Sequence, residues 1–196
     1  TTSTSQIITV TVLDVNEAPI FSSASSFSAD ENQLSIGSVT ATDPEGDALT
    51  FSVSGSDLSI TSGGVLTFAT APDYETKSSY TATVTASDGA SSTNQSITVS
   101  VINVNEAPIF SSASSFSADE NQLSVGTVTA TDPEGDTLLF STYDNSTLSV
   151  TSTGVLTFKS LPDYETKSSY TATVTVSDGT TSTSQIITVT VLDVNE

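Results

Sequence analysis

The feature that most constrains this chain is an internal repeat that extends over nearly all of it. Asn16–Phe21 recurs as Asn105–Phe110, an offset of 89 residues, and Asp73–Lys77 recurs as Asp163–Lys167 at an offset of 90. One residue is therefore inserted between the two motifs, in the stretch after Phe140. A period of this length indicates an array in which each repeat is one folding unit.

The repeat predicts three segments: residues 18–106 and 107–196 as complete repeats, and residues 1–17 as the final strand and linker of a truncated preceding repeat. The last assignment rests on an identity, because Thr1–Glu17 has the same sequence as Thr180–Glu196. We therefore expect the parent protein to be a long tandem array, with neighbouring repeats of the same array as partners.

Alternation of apolar and polar residues predicts seven short strands in each repeat. In the first repeat these are 21–29, 34–42, 49–53, 58–60, 65–68, 80–86 and 97–101. Gly37 interrupts the alternation and predicts a β-bulge, and Gly63-Gly64 predicts a hairpin turn. No window shows helical periodicity. The predicted fold class is all-β, with tandem Greek-key β-sandwiches of the cadherin/immunoglobulin-like kind.

Composition excludes several classes of function. The chain has 23 acidic and 3 basic residues, a net charge of −20, and neither cysteine nor histidine. This charge disfavours nucleic acid and anionic membrane surfaces as partners. Without histidine and cysteine the usual general base and the thiol nucleophile are missing, so we expect no enzyme. No apolar run is long enough to predict a membrane span in this fragment.

The acidic residues gather in predicted loops and at the ends of repeats. If the strands alternate in direction, successive loops lie at opposite ends of a sandwich. The entering end of the first repeat then holds Asp14, Asn16, Glu17, Asp43, Glu45, Asp47 and Asp88. Its other end, where the chain leaves, holds Glu31, Asp73, Glu75, Asn103, Asn105 and Glu106.

The second repeat presents the corresponding residues. Its entering end adds Asp132, Glu134, Asp136 and Asp178, and its exit end holds Glu120, Asp163, Glu165, Asp193, Asn195 and Glu196. Stacked repeats would bring an exit end against an entering end, and carboxylates without a basic residue repel each other unless a cation binds them. Oxygen ligands without His or Cys select a hard cation, and flexible carboxylates suit Ca²⁺ better than octahedral Mg²⁺. We predict calcium as the cofactor; solvated acidic loops are the alternative.

Five spaced motifs in each repeat resemble those of cadherin repeats. Asp14–Pro19 is similar to the linker between cadherin domains, and Ala29–Asn32 resembles the glutamate motif near the start of a domain. Asp43–Glu45 is similar to the Asp-x-Asp pair, Asp73–Glu75 to the Asp-Arg-Glu motif, and Ser87–Gly89 to the region of the aspartate between the last two strands. The form of these motifs looks like the bacterial cadherin-like domains of large surface proteins.

The resemblance implies calcium at each junction, with ligands at the positions named above. The expected function is a calcium-binding structural repeat of an extracellular or cell-surface protein, forming a calcium-stiffened stalk or filament that projects or connects adhesive parts. The alternative is a carbohydrate- or protein-binding adhesion module, with a glycan or a cell-surface ligand as partner. Asn103 stands where the linker aspartate is expected, so the central site should carry less charge than its neighbours.

Two further expectations concern apolar side chains. Tyr74 and Tyr164 are expected to be buried at the end of a repeat rather than to present a face for sugar stacking. Ile8, Val10 and Val12 form an apolar stripe in residues 1–15, which an isolated strand cannot bury. This segment is expected to be frayed in a lone copy and to be a candidate for strand exchange with another copy.

Overall fold

The computed structural model describes residues 1–143 and 146–195. The chain folds as two compact units, Thr1–Asn103 and Val104–Glu196. Both are built from β-strands, and the described residues contain no helix. None of the described residues therefore forms a helix that could cross a membrane. The repeat boundaries after residues 17 and 106 stay predictions.

The first unit contains nine strands, which form a four-stranded sheet, a three-stranded sheet and a two-stranded pair. They are β1 (Ile20–Phe21), β2 (Ser26–Asp30), β3 (Ser35–Ser38), β4 (Ala41–Thr42), β5 (Thr50–Val53), β6 (Leu58–Ile60), β7 (Val65–Phe68), β8 (Ser79–Ser87) and β9 (Ser92–Ile102). One sheet has the order β2-β9-β8-β5, and the other has the order β3-β7-β6. The short strands β1 and β4 pair only with each other.

The second unit repeats this arrangement. Its strands are β10 (Ile109–Phe110), β11 (Ser115–Asp119), β12 (Ser124–Thr127), β13 (Ala130–Thr131), β14 (Leu139–Thr142), β15 (Leu148–Val150), β16 (Val155–Phe158), β17 (Ser169–Ser177) and β18 (Ser182–Leu192). The sheets are β11-β18-β17-β14 and β12-β16-β15, with the pair β10-β13. The residue inserted after Phe140 falls in the stretch around residues 144–145, which lies outside the described residues.

Two predicted strands are each divided in two. The predicted strand 21–29 forms β1, which is antiparallel to β4, and β2, which is parallel to β9. The chain thus leaves the β1-β4 pair and joins the four-stranded sheet, and the small residues Ser22–Ser25 lie between the two strands. The predicted strand 34–42 likewise forms β3 and β4. If each divided strand is counted once, the nine observed strands correspond to the seven predicted ones. The predicted all-β sandwich is confirmed.

Each unit has its own apolar core between its two sheets. Val84, Ile97 and Val99 are fully buried in the first unit, and Val174, Ile187 and Val189 are fully buried in the second. These residues are the apolar members of the alternating pattern in the two long strands. Their Thr and Ser neighbours face outward. Burial of alternate residues fixes the register, because a slip by one residue would expose every apolar side chain.

The predicted glycine signals are confirmed. The register between β3 and β7 shifts between Ser35 and Gly37, which is the predicted bulge. Gly64 closes the turn between β6 and β7, where its N–H donates to the carbonyl of Thr61 at 2.9 Å. The carbonyl of Gly64 accepts a hydrogen bond from the N–H of Val39 at 2.8 Å, so the turn also holds the chain between β3 and β4.

Residues 1–15 contain no strand and are exposed along their length. Ile7 is 94% exposed and Val12 is 89% exposed. The absence of strand pairing in residues 1–15 agrees with the expectation that this segment is frayed in a lone copy. Asn16 and Glu17 are hydrogen-bonded to loops of the first unit, Asn16 through its side-chain amide and Glu17 through its backbone N–H.

Candidate metal centres

Three carboxylates come together at the exit end of the first unit. Glu31, Asp73 and Glu75 each place an oxygen so that all three atoms lie within 4.8 Å of one another. Glu31 follows β2, and the other two residues lie in the loop between β7 and β8. Loops after a strand of one sheet and a strand of the other therefore meet at the same end of the unit, as strand parity predicts.

Glu31 is buried although it carries a carboxylate, with only 3% of its surface exposed. Its Oε2 accepts a hydrogen bond from the backbone N–H of Tyr74 at 2.7 Å. Next to it, Asn32 has a positive φ of 61°, and its N–H donates to the carbonyl of Pro72 at 2.9 Å. The backbone on both sides of Glu31 is thus fixed to the loop that carries Asp73 and Glu75.

The exit end of the second unit has the same construction with one change. Glu120, Glu165 and Asp193 place oxygens within 4.8 Å of one another. Glu120 is 5% exposed, and it accepts hydrogen bonds from the N–H of Tyr164 at 3.0 Å and of Val194 at 2.8 Å. The change is that Asp193 belongs to this group in place of Asp163. Asp163 accepts hydrogen bonds from the N–H and the hydroxyl of Thr166 at 3.0 and 2.9 Å, as Asp73 does from Thr76 in the first unit, so these bonds are not the cause of the difference.

The first unit has Asn103 at the position equivalent to Asp193. Its Nδ2 donates to Oε1 of Glu75 at 3.2 Å. The amide therefore stabilises one carboxylate of the group directly, where the second unit adds a further negative charge. The predicted difference in charge between Asn103 and Asp193 therefore comes with a difference in contacts: Asn103 donates to Glu75, and Asp193 lies beside Glu120 and Glu165.

The entering end of the first unit is organised by Asn16 and Glu17. The Nδ2 of Asn16 donates to Asp88 Oδ2 at 3.1 Å, and the N–H of Glu17 donates to Glu45 Oε2 at 3.2 Å. Asp43 Oδ1 accepts from the N–H groups of Glu45 and Asp47 at 3.0 and 3.1 Å. The entering segment is thus tied to two loops.

The second unit has the same network at its entering end. The Nδ2 of Asn105 donates to Asp178 Oδ2 at 3.0 Å, and the N–H of Glu106 donates to Glu134 Oε1 at 3.3 Å. The N–H of Asp136 donates to Asp132 Oδ1 at 3.1 Å. Since each contact joins equivalent residues in both units, the repeated motifs of the sequence have one common structural role.

Hydrogen bonds keep several of these aspartates ionised. The hydroxyl of Thr181, at 2.6 Å, and then the amide of Asn105 hold the pKa of Asp178 far below its usual range. The backbone N–H of Ser91 lowers the pKa of Asp88, and the amide of Asn16 adds to this effect. The hydroxyl of Thr166 lowers the pKa of Asp163. These donors were not predicted, although a Ser or Thr three residues after an Asp is a known turn signal.

The donor sets fit a hard cation. Carboxylate oxygens within 4.8 Å of each other repel by on the order of 1 to 3 kcal/mol per pair, between the dielectric of water and an effective value of about 20. Of the lysines, Lys77 pairs with Asp57 at 2.6 Å, and Lys167 lies over the ring of Tyr170 at 4.5 Å. Both therefore have partners outside the carboxylate groups.

Buried carboxylate oxygens without a hydrogen bond are a second reason to infer that a cation binds. Among the described residues, Oδ2 of Asp43 and its equivalent, Oδ2 of Asp132, are buried and accept no hydrogen bond, and the same holds for Oε2 of Glu134. Burial of a carboxylate oxygen without a partner is unfavourable. A divalent cation with oxygen ligands would satisfy these atoms.

Both units match one family of known domains, described as the bacterial Ig domain, over residues 16–102 and 105–191. The chain belongs to the bacterial Ig domain family. The matched ranges begin at Asn16 and Asn105, the two residues that tie the entering segment to each bacterial Ig domain.

Two larger proteins contain a segment similar to this pair of bacterial Ig domains. Chitinase A of Pseudoalteromonas piscicida is 34% identical over 131 residues, which are 64% of this chain and 16% of the chitinase. Protocadherin Fat 4 of Mus musculus is 32% identical over 219 residues, 99% of this chain and 4% of the protocadherin. The chain thus spans less than a fifth of the length of either relative.

A solved structure shows the same fold. The crystal structure of human protocadherin-24 EC1-2 in form II is 22% identical to this chain, covers 91% of it and 100% of the solved chain, and has a TM-score of 0.63. At this identity the likeness shows the fold alone. The resemblance to cadherin repeats is therefore confirmed for the sandwich fold, and the family match shows two such domains in tandem.

The contacts described above bring some of the predicted site residues together at each end of each unit; their role as metal ligands stays a prediction. Asp14 and Asn195 are exposed, and Glu196 lies outside the described residues. One expectation is wrong: Tyr74 and Tyr164 are 37% and 39% exposed rather than buried. Their backbone N–H groups bind Glu31 and Glu120, which places the rings at the surface of the loop.

Proposed function

We propose that this chain is a calcium-binding structural repeat of an extracellular surface protein. Calcium ions bind the carboxylate groups at the ends of the units and stiffen a stalk or filament that projects or connects adhesive parts. The observation that carries this proposal is a buried glutamate, Glu31 or Glu120, beside two further carboxylates at the same end of both units. A buried carboxylate beside other carboxylates requires a positive partner.

The proposed ligands follow from the groups described above. At the exit ends they are Glu31, Asp73 and Glu75, and Glu120, Glu165 and Asp193. At the entering ends they include Asp43, Asp132 and Glu134, whose buried oxygens accept no hydrogen bond from the described residues. Three asparagines position carboxylates through their side-chain amides: Asn16 donates to Asp88, Asn103 to Glu75 and Asn105 to Asp178. Calcium would supply positive charge to these groups of carboxylates.

The proposed location is outside the cell or on its surface. Extracellular calcium modules bind the ion with dissociation constants of about 10⁻⁴ to 10⁻³ M, which suits the calcium concentration outside cells. The strong negative charge of the chain also keeps it away from anionic membrane surfaces.

Calorimetric titration with calcium tests the ligands. Glu75→Ala and Glu165→Ala each remove one carboxylate from an exit group, and we expect each to lower the calcium affinity about tenfold or more. Asp57→Ala is the matched control, because Asp57 is an exposed acid that pairs with Lys77 at 2.6 Å outside the groups. If all three variants bind calcium with equal affinity, Glu75 and Glu165 are not ligands and belong to solvated acidic loops.

Small-angle scattering tests the stalk. If calcium stiffens the tandem, the maximum dimension of the chain with calcium should differ from that with excess chelator, and its distance distribution should be narrower. If calorimetry shows calcium binding but the scattering is identical in both conditions, the metal site is supported and the calcium-stiffened stalk is refuted.

A second candidate function is carbohydrate binding, because one relative is named a chitinase. The first unit has a cavity of about 260 Å³ that includes Asp57, Asp73 and Tyr80 in its lining. This volume is below the roughly 300 to 1,000 Å³ of typical ligand pockets. Lys77 also lies over the ring of Tyr80 at 4.2 Å and covers the face that a sugar would stack on. Binding of the chain to chitin beads, with and without calcium, would revive this candidate.

A further inference from the structure

We propose that the outward face of β14, β17 and β18 in the second unit binds a neutral oligosaccharide. Tyr143 and Ile186 provide its apolar contacts, and Thr171 and Thr173 provide hydroxyl groups for hydrogen bonds. This face lies along the sheet, whereas the carboxylate groups lie at the ends of the unit. The proposal therefore goes beyond the calcium function and does not depend on it.

The first observation is a row of three residues that crosses the sheet. Thr173, the central residue of β17, is opposite Ile186 of β18. Tyr143 follows the pair Thr142–Val174, and its N–H donates to the carbonyl of Thr173 at 3.4 Å. Residues opposite each other in a sheet share a face. The backbones of Tyr143 and Ile186 thus lie about 9.5 Å apart, twice the spacing of neighbouring strands, and these residues are 94% and 64% exposed.

The first unit has small polar residues at the equivalent positions. Thr83 is opposite Ser96, and its carbonyl accepts a hydrogen bond from the N–H of Ser54 at 2.9 Å. Ile186 and Tyr143 therefore stand where the first unit has two serines, with the same backbone pairing. A single exposed apolar residue is normal on a protein surface, but here two of them lie in one row. Both side chains are outside the core, so folding of the unit does not account for them.

The second observation is the lack of charge on the strands of this face. β14, β17 and β18 contain no charged residue, although the chain has 23 acidic ones. The outward residues around the row carry hydroxyl groups, among them Thr171, Thr175, Ser184 and Thr188. A charged ligand finds no ion-pair partner on these strands, and the net charge of −20 repels an acidic polymer or a second copy of the chain. The face is thus complementary to a ligand that is uncharged and rich in hydroxyl groups.

The third observation is a shallow depression of about 170 Å³ beside the row, lined by Thr171, Ala172, Thr173 and Ile186. Its volume is below the roughly 300 to 1,000 Å³ of pockets that enclose a ligand. It therefore suits a chain molecule that lies along the surface. Each threonine hydroxyl at its border can both donate and accept a hydrogen bond.

Sugars of the gluco configuration combine the two features that this face requires. Their ring substituents are all equatorial, so the hydroxyl groups form the rim of the ring and the C–H groups form its two faces. A face can pack on the exposed ring of Tyr143 or on Ile186, while the rim reaches the hydroxyls of Thr171 and Thr173. A β linkage keeps the bonds between the rings equatorial as well. The ligand class is therefore a β-linked chain of neutral glucose-type sugars.

Titration of the full-length chain with cellohexaose and with N-acetylchitohexaose, followed by NMR of the backbone amides, tests the site. We expect amide shifts in β17 and β18 that saturate with sugar, and none in the equivalent strands β8 and β9 of the first unit. The hexamer of β-linked glucuronic acid, which differs from cellohexaose by its carboxylates, should shift neither pair of strands. Excess chelator throughout keeps the result independent of calcium.

Matched variants exchange the residues of the two units. Tyr143→Ser and Ile186→Ser give the second unit the residues of the first, and each should weaken sugar binding by about tenfold. The double variant Ser54→Tyr with Ser96→Ile gives the first unit the residues of the second, and β8 and β9 should then shift with sugar. All four positions are exposed, so we expect the variants to keep the melting temperature of the unmodified chain closely.

Several results would overturn the proposal. Neither neutral sugar could shift β17 and β18, both units could respond equally, the glucuronic acid hexamer could bind as tightly, or the exchanged residues could leave sugar binding unchanged. A dimer by light scattering that Ile186→Ser dissociates would make this face an interface between copies, and the sugar site would fail. Calcium titration of Tyr143→Ser should match that of the unmodified chain, which separates these failures from a failure of the proposed function.

Discussion

At the scale of single residues, hydroxyl and amide groups set the charge of the entering ends. Thr181 donates its hydroxyl to Asp178 at 2.6 Å, and this bond is the first cause of the low pKa of that aspartate. We expect Thr181→Val to raise the pKa of Asp178 toward its ordinary value of 3.8, as measured by NMR titration. Thr180→Val is the control, because Thr180 donates only its backbone N–H.

The same bond makes stability depend on pH in a defined direction. Since the folded state holds the pKa of Asp178 below 3.8, its contribution is present above that pH. The contribution is lost as the pH falls from 3.8 through the lower, folded value. The Thr181→Val chain should therefore lose less stability on acidification than the unmodified chain. An unchanged Asp178 titration in the variant would contradict the assignment of the hydroxyl as main cause.

Asn103 provides a second test at this scale. Asn103→Asp gives the first unit the aspartate that the second unit has at Asp193, and it replaces an amide donor to Glu75 by a negative charge. We expect the variant to bind calcium several-fold more tightly and to melt at a lower temperature in chelator, because like charges repel. Asn94→Asp is the control, because it adds the same charge on β9 away from the exit group. It should neither raise the calcium affinity nor lower the melting temperature in chelator to the same extent.

At the scale of elements, the turn between β6 and β7 depends on glycine for two reasons. Gly64 has a φ of +88°, and a Cβ there would lie 2.2 Å from the carbonyl oxygen of Val39. Gly64→Ala should destabilise the first unit by about 3 kcal/mol, the sum of backbone strain and steric overlap. Gly89→Ala has a similar φ of +99° but no neighbour within 4 Å, so it should cost about 1 to 2 kcal/mol.

Urea unfolding of the first unit, followed by NMR signals of β7 and β8, measures both variants. The difference between them isolates the contact with Val39, because the backbone strain is similar. Equal destabilisation by the two substitutions would show that the turn can move away from the strand. The equivalent position in the second unit, Gly154, would place a Cβ at the same 2.2 Å from Val128 and provides an independent copy of the test.

The elements also show how far the sequence determines the fold. Alternation in 80–86 and 97–101 predicts the buried face of β8 and β9, because a strand with one buried face has a period of two. The division of the predicted strand 21–29 between two sheets was not predictable, since small residues such as Ser22–Ser25 carry no signal of a change of partner. Strand parity predicts which loops share an end. It does not predict that Asp193, rather than Asp163, joins Glu120 and Glu165.

At the scale of the whole molecule, the proposed calcium sites would link stability to calcium concentration, in a chain whose net charge is −20. Ions that bind only the folded state raise its free energy of unfolding by mass action. With a dissociation constant of about 1 mM, 10 mM calcium contributes roughly 1.4 kcal/mol for each site. We therefore expect the melting temperature to rise with calcium well beyond the rise that equal ionic strength of NaCl produces.

Magnesium distinguishes a specific site from general screening of the same charge. It requires six ligands in nearly octahedral geometry and keeps its waters, whereas the carboxylates of the exit groups come from separate loops and suit a larger ion. Equal concentrations of magnesium should thus raise the melting temperature less than calcium does. The double variant Glu31→Gln with Glu120→Gln removes the buried charge from both exit groups and should lose most of the calcium-specific rise. If calcium, magnesium and ionic strength act alike on the unmodified chain, its acidic loops are screened rather than ligated, and the calcium proposal fails.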